Sequence, residues 1–260
     1  MGLLVLTAAE GGEFVPPSSR DFELPAIVAG ATKPMVLVVL AAVMVAVFFF
    51  ISARRAQVVP GKLQFAGEGV YGFVRNGVAR DVIGDKEFLK YVPYLVTLFS
   101  FILVNNVFGI IPLIQFPTMS RIAFPAVLAI ITWLLFNYIG IKRHGVFSYF
   151  NNMMFPPGVP KPVYLLLAPI EFISTVLVRP LTLALRLFAN MFAGHLLLLV
   201  FILGGEHLLA SGGALAIVSL PAFLLGIVLT FFEFLVQVLQ AYIFTLLTAL
   251  YIAGSLADEH

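Results

Sequence analysis

The chain has 260 residues, 61% hydrophobic and only 11% charged, with a mean hydropathy of +1.07. That is too little polar surface to clothe a soluble domain, and the apolar residues come in long runs, so the composition points to a membrane protein. A net charge of +2 is too small and too dispersed for nucleic-acid binding. The absence of cysteine excludes disulfides, thiolate metal sites and cysteine nucleophiles.

Met1 to Ala9 is apolar, but it lacks a basic start and is too short for a secretory signal. Glu10, Glu13, Asp21, Glu23 and the pair Pro16-Pro17 follow, so residues 1–33 read as a mostly irregular tail. The first predicted span is 34–53, uncharged, opened by Pro34 and closed by Arg54-Arg55. Twenty helical residues at about 1.5 Å each cross a hydrocarbon core of about 30 Å. Proline is harmless at a helix start, where its missing N–H has no partner to lose. Residues 61–84 mix Leu63, Phe65, Val70, Phe73 and Val74 with Lys62, Glu68, Arg75, Arg80 and Asp81. This is too polar to span and predicts an amphipathic helix on the membrane surface.

The second span is expected at 91–111, closed by Pro112, and the third at 122–141, closed by Lys142-Arg143. Residues 147–162, with Pro156, Pro157, Pro160 and Pro162, read as a turn-rich loop. Two long apolar segments complete the chain, 163–203 and 215–255. About forty residues make about 60 Å of helix, twice the hydrocarbon thickness. Each is therefore either two upright helices or one strongly tilted helix, and the short glycine-rich stretch 204–213 favours a hairpin between them. The predicted fold class is an all-α integral membrane protein. Residues 34–260 form a single domain of five crossing helices and one surface helix.

Charge sets the orientation. With the N-terminus outside and five crossings, Arg54, Arg55, Lys62, Arg75, Arg80, Lys86, Lys90, Lys142, Arg143 and Lys161 fall on the cytoplasmic side. Only Arg20, Lys33 and Arg121 fall outside, a clear positive-inside bias that puts the C-terminus in the cytoplasm.

Arg179 and Arg186 remain, inside an apolar segment. At about 100° per residue, Glu171, Thr175, Arg179, Thr182, Arg186 and Asn190 share an arc of about 100°. In the last segment Thr230, Glu233, Gln237, Gln240, Thr248, Tyr251 and Ser255 fall within about 80°. Two polar faces on consecutive helices can face each other or line a polar path. An arginine at the bilayer centre costs about 2.5–3.5 kcal/mol on insertion scales and does not lose its charge. The plain alternative is an arginine paired with a carboxylate or snorkelling to the surface. Glu233 lies in the run Leu229-Thr230-Phe231-Phe232-Glu233-Phe234-Leu235, where burial disfavours the ionised form and suits a carboxyl to passing protons. Its alternative is pairing with Arg186 or His195. His195 points away from Arg186 on the same helix, and a lone histidine on an apolar helix is more often a hydrogen-bonded core residue than a relay.

The run Arg186-Leu187-Phe188-Ala189-Asn190-Met191-Phe192-Ala193-Gly194-His195 resembles the signature of F-type ATP synthase subunit a of the bacterial type. Leu239-Gln240-Ala241-Tyr242-Ile243-Phe244 is similar to that family's second signature, in its last helix. The layout of residues 34–260 also resembles the family: an upright helix, a surface helix, a hairpin and two long tilted helices against a ring of c subunits. The resemblance implies a stator subunit with two offset half-channels, not catalytic alone and needing no cofactor or metal. Its expected partners are the c ring, b-type peripheral stalk subunits, the rest of the complex and the bilayer. Its place would be the bacterial plasma membrane, where it would couple proton flow to ring rotation and ATP synthesis.

By the same likeness Arg186 faces the c-subunit carboxylate, draws it into ionised form and blocks a direct leak. Asn190 and Gln240 flank it. His195 and Glu233 match two half-channel positions on the periplasmic side, which some family members carry exchanged, as if they act as a pair. Glu171, Thr182, Arg179, Tyr251 and Asn106 are candidates for further half-channel lining. The sequence departs from the family at Gly109, where many relatives have an acidic residue, and at Met119-Ser120-Arg121. The outer half-channel is therefore expected to use Glu233 or water there. Nothing resembles a sodium-site elaboration. A proton crossing 100 mV releases about 2.3 kcal/mol, so several are needed per ATP and none can be wasted around the ring.

Rival classes fit less well. A secondary transporter predicts two similar halves, which the sequence lacks. An intramembrane hydrolase predicts a motif such as His-Glu-x-x-His, also lacking. A structural scaffold has no use for a costly buried Arg186 and Glu233.

Overall fold

A computed structural model describes residues 16–18, 26–28, 31–54, 57–111, 114–155 and 163–257. Arg20, Arg55, Lys161 and the prolines at 112, 156, 157, 160 and 162 lie outside the described residues. Strands β1 (Ala26–Val28) and β2 (Ala31–Thr32) form a small antiparallel pair in the segment expected to be irregular. Everything else regular among the described residues is helical, as the composition requires.

Helix α1 (Lys33–Arg54) is followed by α2 (Lys62–Val74), a π-helical stretch Arg75–Arg80 and α3 (Asp81–Ile83). These three continue one another over the residues read as a surface helix. Its apolar residues Val74, Val78 and Ala79 are fully buried, whereas Lys62 and Arg80 are exposed. Helix α4 (Val92–Val107) is shorter than the predicted second span, because the chain turns at Gly109 before Pro112 is reached. Helix α5 (Ala123–His144) is the third span, and Gly145 at φ +81° ends it. Glu87 ties the ends of α4 and α5 together by accepting from Arg143 and Lys90. The Arg143 guanidinium, with help from Lys90, holds this exposed carboxyl below the usual carboxylate range.

The loop expected from residue 147 begins with a helix instead, α6 (Val146–Met154). The turn signal was carried by prolines that all lie beyond Met154. Within α6, Tyr149 folds back on α5, where its hydroxyl donates to Asn137 Oδ1 at 3.1 Å.

Both long segments are continuous helices. Helix α7 (Tyr164–Ile173), a π turn Ser174–Val178 and α8 (Arg179–Ser211) form one rod. Helix α9 (Gly213–Leu256) is the other, 44 residues and about 66 Å long. The rod ends at Ser211 rather than 203. Gly204-Gly205, read as loop, is helical because α9 comes close: a β-carbon on Gly205 would lie 3.2 Å from Phe223 and 3.4 Å from Ala222. The reversal takes place at Gly212 and Gly213, with φ of +69° and +59°, values that glycine adopts without steric cost.

The π turn has a clear local cause and consequence. Arg179 N–H donates five residues back, to the Ser174 carbonyl. The next donor in that series would be Pro180, which has no N–H, so the Thr175 carbonyl needs another partner. Trp133 of α5 supplies it, Nε1 to O at 3.1 Å. Trp133→Phe should therefore strand a carbonyl and cost about 1–3 kcal/mol. Adding Pro180→Ala should recover part of that loss, because the alanine restores an N–H. The check is the thermal midpoint of the four forms by circular dichroism in detergent; an additive pair would refute the shared carbonyl.

The main core lies where α4, α5, α8 and the C-terminal half of α9 meet. Leu95, Ile102, Phe136, Leu187, Met191 and Ile252 are its most deeply buried large side chains. Among the described residues, four helices are long and apolar enough to cross a membrane, with α4 a shorter apolar fifth. Their outward faces are strongly apolar, for example Val39, Leu220 and Phe231.

Candidate functional site

The predicted stripe on the first rod is split by the π turn. A π turn accommodates extra residues, so residues before it rotate relative to those after. Thr175 faces inward and is buried, while Thr182 and Arg186 face outward and are exposed. Glu171, Arg179 and Asn190 are half-buried between. The stripe on α9, which has no such interruption, keeps its register: Glu233, Gln237, Gln240, Thr248 and Ser255 are all buried. The two polar faces are therefore not simply opposed along their length.

Arg186 lies on an exposed strip with Thr182, Ala189 and Ala193, beside the exposed Leu181 and Leu185. It makes no ion pair among the described residues. Pairing of Arg186 with Glu233 is thus not seen. Small neighbours leave room for another helix to come close to the guanidinium.

One polar cluster sits toward the hairpin end. Glu233 lies against α8 at Gly194, where an added β-carbon would be 3.8 Å from Glu233 Oε1. The next residue, His195, is buried as well. Gln237 Nε2 donates to Glu233 Oε1 at 3.3 Å, and Asn106 Nδ2 of α4 donates to the Gln237 carbonyl at 3.2 Å. Three acceptors there, Asn106 Oδ1, Glu233 Oε2 and Gln237 Oε1, are buried with no hydrogen-bond donor among the described residues. Beneath them, the turn Thr118–Ser120 is buried against α4 and α8, and Thr118 Oγ1 donates to Asn105 Oδ1 at 2.6 Å. Gly109, the departure from the family pattern, is closely packed: an added β-carbon would lie 3.0 Å from Pro117.

A second cluster sits at the other end of the hairpin. Arg179 stacks its guanidinium over the Tyr251 ring at 5.5 Å, and Phe136 packs on the same ring at 5.4 Å. That gives Arg179 a partner within the chain. Tyr149, Asn137 and Ser255 adjoin it. Thr182 bonds only to its own helix, at the Val178 and Arg179 carbonyls. Arg186 is seven residues from Arg179 and eight from Gly194, about 10 and 12 Å along the helix, so it stands between the clusters.

Sequence reasoning had given Gln237 no role beyond the stripe. Its place on the stripe, one turn from Glu233, was the available signal. Tyr149 and Asn137 carried no signal, since their meeting depends on how α6 folds back. No group of three or more His, Asp or Glu that could hold a metal occurs among the described residues.

Comparison with known proteins adds identity to this geometry. A sequence model of the family described as "ATP synthase A chain" matches residues 35–253. The chain is 51% identical over 271 aligned positions to the ATP synthase subunit a of a Nocardioides species, covering 98% of each chain. It is 50% identical to that of Pseudarthrobacter chlorophenolicus, covering 99% of each, and 46% identical to that of Streptomyces lividans, covering 88% of this chain and 80% of the other. With matches of this length and identity, the chain belongs to the ATP synthase A chain family, the subunit a of bacterial ATP synthases.

Proposed function

We propose that this chain is the stationary half of the proton path in a rotary ATP synthase. Family membership makes it a multi-pass subunit of that membrane complex, not catalytic by itself, in the bacterial plasma membrane. The finer reading is carried by one observation: Arg186 is exposed on an apolar helix surface with no counter-charge among the described residues. A charge kept there at a cost of a few kcal/mol calls for a partner from outside the chain. The partner that fits is the mid-membrane carboxylate of a c subunit.

Arg186 stays protonated throughout, so its field is constant. A carboxylate brought to about 4 Å gains on the order of 4 kcal/mol at an effective dielectric constant near 20. That is enough to eject its proton as it passes. Asn190 and Gln240 flank the contact and offer neutral hydrogen-bonding groups. The Glu233–His195–Asn106 cluster is the outer half-channel. The cluster of Arg179 and Tyr251, with Glu171 and Thr182, is the inner one. Arg186 between them forces protons to travel on the ring. In this reading b-type stalk subunits hold the chain against rotation, the N-terminus is periplasmic and the C-terminus cytoplasmic.

The naturally cysteine-free chain makes the test direct. A single cysteine at the exposed Ala189 should form a disulfide with a cysteine placed beside the c-subunit carboxylate. One at Ala257 should react with an impermeant maleimide in inverted vesicles but not in right-side-out cells. No cross-link at 189 would remove the ring from this face, and labelling of 257 from outside would invert the topology.

A further inference from the structure

Gln237 lies outside both sequence signatures, yet it is fully buried, its amide donates to Glu233 and its backbone carbonyl accepts from Asn106. Nothing about packing asks for an amide at this place. Its neighbours along α9, Val236 and Val238, are apolar, and an interior position between α4 and α9 is served as well by leucine or methionine. An amide buried in a membrane interior is instead costly unless both its ends are used. Here one end is used, Nε2 toward Glu233, while the other, Oε1, is, like Glu233 Oε2, a buried acceptor with no donor among the described residues.

We propose that Gln237 is a positioning residue of the outer proton path, holding the Glu233 side chain in both of its protonation states. This rests on the reading of Glu233 as a proton-path group. When Glu233 is ionised, Gln237 Nε2–H donates to it, the arrangement present in the structure. When a proton reaches the carboxylate, the new O–H needs an acceptor. Rotation of the amide about its last side-chain bond presents Gln237 Oε1 in place of Nε2. The proton arrives on a Glu233 oxygen and leaves from one; Gln237 neither gains nor loses a proton. Because one planar group answers both states, neither form of the carboxyl is left stranded in apolar surroundings, and loading and unloading can both proceed. Asn106, anchored on the Gln237 carbonyl, fixes the α9 backbone at this turn, so the amide rather than the helix moves.

The test uses membrane vesicles with the whole complex, and passive proton conduction after the catalytic head is stripped. Gln237→Leu keeps the volume and removes both hydrogen-bonding ends; it should lower conduction about tenfold or more while the complex assembles. Gln237→Glu, the same shape and in its protonated form both donor and acceptor, should restore most of it. Equal conduction in native and leucine forms overturns the proposal, as does equal loss in the leucine and glutamate forms, since a packing defect would not discriminate between them. If the leucine form fails to assemble, Gln237→Met takes its place with the same expected outcomes. Glu233→Gln is run alongside. If it conducts normally, the reading of Glu233 itself has failed. If it is dead while Gln237→Leu conducts as the native does, only the role of Gln237 is lost.

Discussion

Arg186→Ala should abolish ATP-driven acidification of inverted membrane vesicles while the complex still assembles. The side chain is exposed and has no ion pair among the described residues, so truncation removes a charge and almost no packing. Surface truncations of that kind change stability by no more than about 0.5 kcal/mol. The loss in transport should be far larger, because without the fixed charge a passing carboxylate has no reason to ionise. Arg186→Lys should not restore full coupling, since lysine can discharge in an apolar contact where arginine does not. Passive leak measured in the same vesicles reports a second property. A raised leak means the arginine also keeps the two polar clusters apart. Normal pumping in the alanine form would make the charge structural and the proton path would have to be sought elsewhere.

The second large effect is expected at His195 and Glu233. Exchanging either alone creates two carboxyls or two imidazoles at one place, and each single change should lower pumping about tenfold or more. Making both changes keeps one of each group across the Gly194 contact, where α8 and α9 touch. The double exchange should therefore recover several-fold over either single form. A double variant as damaged as the singles together would mean that the two residues act independently.

The all-α membrane class, the order of the helices and the two long apolar segments were legible in the sequence, whereas whether each long segment was one rod or two was not. The legible features rest on composition or on helical periodicity, properties that apolar runs carry strongly. What was not legible depended on contacts between distant segments. The stripe on the first rod was drawn as if the helix were ideal, and the π turn next to Pro180 broke it; only Trp133, more than forty residues away, explains why that turn is tolerated. Gly204-Gly205 looked like a loop because glycine serves both turns and tight helix contacts, and sequence alone does not say which. Gln237 was visible on its stripe, but its meaning came from Asn106 on another helix. Tyr149 sat in a stretch judged by prolines that follow it.

The second rod is supported unevenly. Before Glu233 its buried residues are Ser219 and Gly226; from Glu233 onward they run through Gln237, Gln240, Ala241, Phe244, Thr245, Thr248, Ala249, Ile252 and Ser255. Mechanically this is a beam clamped along one half and held along the other mainly by its neighbouring rod. If the proposed function holds, a sideways force from a turning partner near Arg186 would fall beside the clamped half and pass into α4 and α5 with little deflection. The free half, ending at a turn made of glycine, is where the assembly can yield. Stiffness is thus concentrated along the half that begins at Glu233, and compliance is left at the hairpin tip.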